Sequence, residues 1–141
     1  MFQKIIWATD GSEAADAALP HVKELASVDG TAVVVLHLDE VMVGPRAAGL
    51  DVDVDEDELK QKITKQAEEL RTAGIEVATE FLAARAGIAA HAIAEAAEKD
   101  GADLIVVGTR GHTRLGGLLV GSVTQRLLQV APCPVLAVPH R

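Results

Sequence analysis

Three glycines and a serine near the end of the chain, Gly108, Gly111, Gly121 and Ser122, stand where backbone could capture an anion. Glycine lets the main chain approach a ligand with no Cβ in the way. The first turn of a helix adds unpaired N–H donors and partial positive charge. Residues 104–107, Leu-Ile-Val-Val, form an unbroken apolar run suited to a strand buried on both faces. The run stops at Gly108, and Val123, Leu127 and Val130 later begin a helical spacing. Strand, glycine loop and helix start with a hydroxyl point to phosphate binding. Asp10 is the other residue of interest. It follows an apolar, β-forming run at residues 4–8 and precedes Gly11 and Ser12. Its simplest role is in a turn, with Ser12 capping the next helix.

Neither common phosphate loop is present. A Walker A loop needs Lys and Ser or Thr after its second glycine, whereas Gly116 is followed by Gly117 and Leu118. The dinucleotide spacing G-x-G-x-x-G is also absent. What stands is Gly108-x2-Gly111-x9-Gly121-Ser122, and it resembles, position for position, the ATP-binding signature of the universal stress protein family. The resemblance covers essentially the whole chain, from the first strand with Asp10 to residues 133–139.

That resemblance implies a parallel sheet of strand order 3-2-1-4-5 and a ligand, ATP, with Mg²⁺ carried on its phosphates. Asp10 would hydrogen-bond the ribose or the base edge and help place the metal, with Ala8 and Thr9 on the same wall. Leu38, at the end of the second strand, would bring backbone groups to the adenine edge. Gly108, Gly111, Gly121 and Ser122 would hold the phosphates, and Val107 and Val123 would add backbone contacts. Some members of the family bind cAMP, so cAMP is the alternative ligand. The family also implies a homodimer joined through the fifth strand, Val135, Leu136, Ala137 and Val138. In the order 3-2-1-4-5 that strand is an edge, and no charge between Pro134 and Pro139 repels a second copy.

The spacing of apolar residues predicts the elements that must position these groups. A first helix runs to about residue 27, kinked where Pro20 lacks its N–H. A strand follows at residues 31–38, then a long loop at 41–54 marked by Gly44, Pro45 and Gly49. A helix over 55–73 leads to a partly alternating outer strand at 75–82 and an Ala-rich helix at 87–100. After the fourth strand come a helix at 121–130 and a fifth strand at 135–138. The order βαβαβαβαβ predicts an α/β doubly wound fold, a five-stranded parallel sheet with helices on both faces. Residues 1–141 are expected to be one nucleotide-binding domain.

Composition bounds the rest. A net charge of −8 and the absence of Tyr disfavour a basic or base-stacking nucleic-acid surface. No apolar run of about 18 residues spans a membrane, and the first residues lack the pattern of a signal peptide. A soluble, cytoplasmic protein is the expectation. Cys133 is the single cysteine, so no internal disulfide or CxxC site forms. The acidic residues 51–58 fail as a calcium loop, since positions six and twelve hold Glu56 and Lys62. The five histidines show no metal-ligand spacing.

No catalytic set can be assembled from motifs, so binding is better supported than turnover. Slow ATP hydrolysis or self-phosphorylation, with Ser122 or Thr124 as acceptor, is the enzymatic alternative. The S-G-G-x-D-S and H-x-G-H loops of ATP-dependent activating enzymes do not occur. A phosphoacceptor receiver domain needs an acid at the end of strand three, where residues 82–85 are Leu-Ala-Ala-Arg.

Overall fold

Alternation along β1 (Lys4–Thr9) sets up the layers. Ile5 and Trp7 face one side of the sheet, Ile6 and Ala8 the other, and all four are buried. The computed structural model describes residues 2–28, 30–41, 56–85, 87–109 and 122–140. After β1 come α1 (Glu13–Asp16), α2 (Leu19–Ala26), β2 (Ala32–Val41), α3 (Glu56–Thr72) and β3 (Glu76–Arg85). The chain continues through α4 (Ala89–Asp100), β4 (Leu104–Gly108), α5 (Ser122–Val130) and β5 (Val135–Val138). All strand pairs are parallel, and the five-stranded sheet has the order β3-β2-β1-β4-β5. The fold is the doubly wound α/β one expected from the sequence.

Two cores form, one on each face. Ile5, Trp7, Val33, Val35 and Val106 pack against Val22 of α2 and Ile63, Ala67 and Leu70 of α3. Ile6, Val34, Leu36, Ile105 and Val107 pack against the alanines of α4 and Leu127 of α5. Alanine on α4 brings that helix close to the sheet, while bulk is supplied by the β-branched strand residues. Each buried Val, Leu or Ile contributes about 1.5–3 kcal/mol over its exposed state.

Three elements differ from their sequence expectation: the first helix, β2, and β3, which ends at Arg85 and not at residue 82. The first helix is two helices rather than one kinked one: α1 stops at Asp16, and Pro20 lies in the first turn of α2. There the missing N–H would have had no helical partner anyway, so the proline starts a helix and does not bend one. β2 runs three residues past Leu38, which lies inside the strand and pairs with Leu82 of β3. The extension follows from the ladder: Asp39, Glu40 and Val41 pair with Ala83, Ala84 and Arg85, and backbone hydrogen bonding is indifferent to side-chain polarity. Val41 therefore closes β2, and the rest of the loop expected at 41–54 lies outside the described residues.

Candidate functional site

In the order β3-β2-β1-β4-β5 the chain leaves β1 toward β2 on one side and later returns to β4 on the other. Between such strands the connecting segments diverge, leaving a crevice at the carboxyl ends. Trp7 pairs with Val106, so Ala8 and Thr9 come out at the same end of the sheet as Val107 and Gly108. Thr9 pairs with His37 on its other side, which puts Leu38 at that end too. Asp10 follows Thr9 directly. Five of the residues expected to bind thus converge on the carboxyl ends of β1 and β4, and a sixth, Leu38, lies toward that end of the sheet inside β2, three residues before the strand stops. Gly111 and Gly121 lie outside the described residues.

The start of α5 is fastened to the same place. The Thr124 hydroxyl donates to the Gly108 carbonyl oxygen at 3.0 Å. Thr124 is buried, Ser122 at the first position of α5 is exposed, and Val123 packs against the α4 side of the core. One hydrogen bond therefore brackets the glycine segment, joining its entry at Gly108 to its exit at α5.

The turn after β1 is built from its own polar side chains. Thr9 Oγ1 accepts from the Gly11 N–H at 3.1 Å, and Asp10 Oδ1 accepts from the Ser12 N–H at 2.9 Å. Ser12 Oγ in turn accepts from the Ala15 N–H at 3.2 Å, capping α1 as expected. Gly11 adopts φ 83°, a left-handed conformation that other residues rarely take. Across the crevice, Gly108 lacks a Cβ for a reason of packing. A Cβ there would collide with the Ala14 carbonyl oxygen and lie 2.7 Å from its carbon. Trp7 holds α1 in that position, its Nε1 donating to the Ala15 carbonyl at 3.2 Å.

Residues 1–139 match the model of the Universal stress protein family. The chain belongs to that family. It is 34% identical over 160 residues to universal stress protein MJ0577 of Methanocaldococcus jannaschii, covering 100% of this chain and 97% of that protein. The solved structure of MJ0577 superposes with a TM-score of 0.77 at 31% identity, over 100% of this chain and 98% of the other. A universal stress protein solved in complex with cAMP gives a TM-score of 0.69 at 19% identity, over 98% and 97% of the two chains. The universal stress protein of Archaeoglobus fulgidus solved in complex with dAMP gives 0.67 at 24%, over 98% of each chain. At these last two identities the likeness is one of fold.

In this universal stress protein several residues near the crevice carry no motif. His37 is buried, and its Nδ1 lies 3.1 Å from the Thr9 carbonyl oxygen. A carbonyl only accepts, so Nδ1 carries the proton and ties β2 to the end of β1. The ring meets Phe81 edge-on at 5.9 Å, and the Lys60 ammonium lies 5.9 Å from the same Phe81 ring. From α3, Lys62 Nζ donates to the Gly11 carbonyl at 2.8 Å and to Asp16 Oδ2 at 2.6 Å. Gln66 Nε2 donates to Asp16 Oδ1 at 2.9 Å. The only sequence signal for this pair is its i, i+4 spacing beside the apolar stripe of α3.

Among the described residues no group of three or more His, Cys, Asp or Glu side chains is placed to hold a metal ion. Nor is any described helix long and apolar enough to cross a membrane. Burial, and secondarily Asp103, pushes the Cys133 thiol above its usual range, toward the unreactive thiol form. A depression of about 600 Å³ opens at the opposite, amino end of the sheet, lined by Gln3, Lys4, Thr31 and Asp100 among others. It does not adjoin the crevice.

Proposed function

We propose that this universal stress protein belongs to the ATP-binding subclass and uses residues 1–141 as a single nucleotide-binding domain. ATP, with Mg²⁺ on its phosphates, sits in the crevice between β1 and β4. The observation that carries the reading is the convergence of the Asp10 turn, the end of β4 and the start of α5, the last two joined through Thr124 and Gly108. Asp10 meets the ribose or base edge beside Ala8 and Thr9, and Leu38 meets the adenine edge through its backbone. Gly108, Gly111, Gly121 and Ser122 hold the phosphates, with Val107 and Val123 adding backbone contacts. The donor set fits a metal that rides on the nucleotide: the Asp10 carboxylate stands at the crevice, and no group of three or more His, Cys, Asp or Glu side chains among the described residues is placed to hold a metal by itself. The relatives solved with cAMP and dAMP support an adenine nucleotide as the ligand class. The glycine–serine signature favours ATP within that class.

The protein acts as a nucleotide-dependent switch or partner-binding module in a cytoplasmic stress response, without a catalytic residue of its own. If bound ATP does transfer its phosphoryl group to the chain, Ser122 is the acceptor, since the Thr124 hydroxyl is buried and already donates to Gly108. A homodimer forms through β5, by Val135, Leu136, Ala137 and Val138. Its support is that β5 is a sheet edge with Leu136 exposed, and that Leu128 on the adjoining α5 is more than half exposed. Nucleic acid and membrane are not partners, in keeping with the charge of −8. The test is calorimetry with ATP–Mg²⁺, ATP alone and cAMP side by side, together with identification of the nucleotide that co-purifies. Tighter binding of ATP–Mg²⁺ than of cAMP is expected. Preference for cAMP transfers the assignment to the cyclic ligand, and binding of neither overturns it.

A further inference from the structure

We infer that Lys62, on α3, is a positioning residue for Asp10 and thereby sets the affinity for the adenosine part of the ligand. The inference rests on the nucleotide reading above. Lys62 Nζ donates to the carbonyl oxygen of Gly11, while the N–H of Ser12 donates to Asp10 Oδ1. Those two groups, the Gly11 carbonyl and the Ser12 amide, are opposite ends of one planar peptide unit. An ammonium on the oxygen therefore fixes the orientation of the N–H that aims the carboxylate, and polarises the peptide so that this N–H donates more strongly. The peptide needs such a hold. Gly11 is the residue with the widest choice of backbone conformation, and at φ 83° its peptide plane can turn over at little steric cost.

The rest of the cluster makes the hold rigid. Asp16, the last residue of α1, accepts from both Lys62 and Gln66, and the Leu59 side chain occupies the space where a Gly11 Cβ would stand. Leu59, Lys62 and Gln66 lie at i, i+3 and i+7, so one stripe of α3 grips residues 11–16. Docking of α3 does not require this stripe, because Ile63, Ala67 and Leu70 already bury the helix against the sheet. The polar stripe even carries a penalty: Gln66 is buried, and its Oε1 has no donor among the described residues. Apolar side chains would dock the helix better. Charged and amide groups are explained by what they hold.

The experiment compares wild type, Lys62→Met, Lys62→Gln and Lys62→Arg for binding of adenosine, AMP and ATP–Mg²⁺, with amide NMR of Gly11 and Ser12 in the nucleotide-free protein. The Lys62 side chain is about one-third exposed (36%) and the core beneath it is apolar, so the variants fold. Loss of a charge-assisted bond to the turn is expected to weaken all three ligands by a common factor of about ten in Lys62→Met and Lys62→Gln. Lys62→Arg, which keeps a donor for both Gly11 and Asp16, restores affinity to within about threefold. A loss that grows with the number of phosphates means Lys62 touches phosphate directly, and overturns the positioning role. Unchanged affinities, or no rescue by arginine, overturn it as well. If wild type binds none of the three, the nucleotide reading fails by itself. The hold on the turn is then judged by the amides: faster exchange at Gly11 and Ser12 in Lys62→Met upholds it, and unchanged exchange refutes it.

Discussion

Gly108→Ala tests whether the crevice is shaped by the pressure of α1 on β4. The added methyl would collide with the Ala14 carbonyl oxygen, 2.7 Å from its carbon and 3.0 Å from the Ala15 nitrogen. These are backbone atoms, so relief requires α1 to move as a body. Trp7, the Ser12 cap and the Lys62–Asp16 ion pair all resist that movement. Overpacking of this kind costs about 1–3 kcal/mol. For 141 residues the entropy of unfolding is about 0.3 kcal/mol/K, so a loss of about 2 kcal/mol lowers the melting temperature by about 7 °C. Because α1 carries the Asp10 turn, nucleotide affinity falls with it. Gly74→Ala is the control: φ 87° with open space around it leaves only the left-handed backbone penalty of about 1 kcal/mol, and affinity should not change. Thermal melts followed by circular dichroism, paired with calorimetry, measure both. A Gly108→Ala protein melting within about 2 °C of wild type would show that α1 does not press on β4 as described.

On the proposed ATP reading, Gly111→Ala and Gly121→Ala each put a methyl where backbone would approach phosphate, and should weaken ATP binding with little change in melting temperature; unchanged affinity in both reassigns the pocket. Glu80 is held above the usual carboxylate range by burial, then by a hydrogen bond to Asp100 and its charge. The folded state thus keeps the Glu80 proton to higher pH than the unfolded chain, and this contribution to stability is present at low pH and lost as pH rises through the raised value. Glu80→Gln keeps a donor for Asp100 without the charge, so it should stabilise at pH 7 by about 0.5 kcal/mol after solvent screening and by nothing near pH 4; equal shifts at both pH values argue against the pairing. Leu136→Asp places charge on the exposed middle of β5 and should give a folded monomer in sedimentation. Val138 is unsuitable for that test, because it is buried in the core and Asp there would unfold the chain.

Where the sequence was legible, one physical signal spoke without a competitor. Residues 104–107 have no polar member, and a strand covered on both faces is what β4 is. Pro20 carried two readings, since proline both breaks a helix and begins one. Periodicity ran through it unbroken from Ala15 to Ala26, which hid the end of α1 at Asp16. The end of β2 was concealed in the opposite way. Apolar character stops at Leu38, but pairing with β3 does not, and a strand's length is set by its neighbour as much as by its own residues.

The site divides along the same line. Asp10, Gly108 and Ser122 could be nominated from sequence because their types and spacing form a motif, but Lys62 meets Gly11 across 51 residues and Asp16 across 46. No local pattern encodes a partner at that separation. Gly108 shows the converse problem, a residue found for an incomplete reason. Phosphate approach is the proposed reason for its lack of a side chain, yet the Ala14 carbonyl would exclude a Cβ with no ligand present. Weak nucleotide binding by a Gly108 variant is therefore ambiguous, since displacement of α1 alone produces it. Lys62 variants escape that ambiguity. The Lys62 side chain is partly exposed, and among the described residues its hydrogen bonds go to the Gly11 carbonyl and Asp16, so a loss of affinity with an unchanged melting point reports on the aim of Asp10 and not on the packing of the fold.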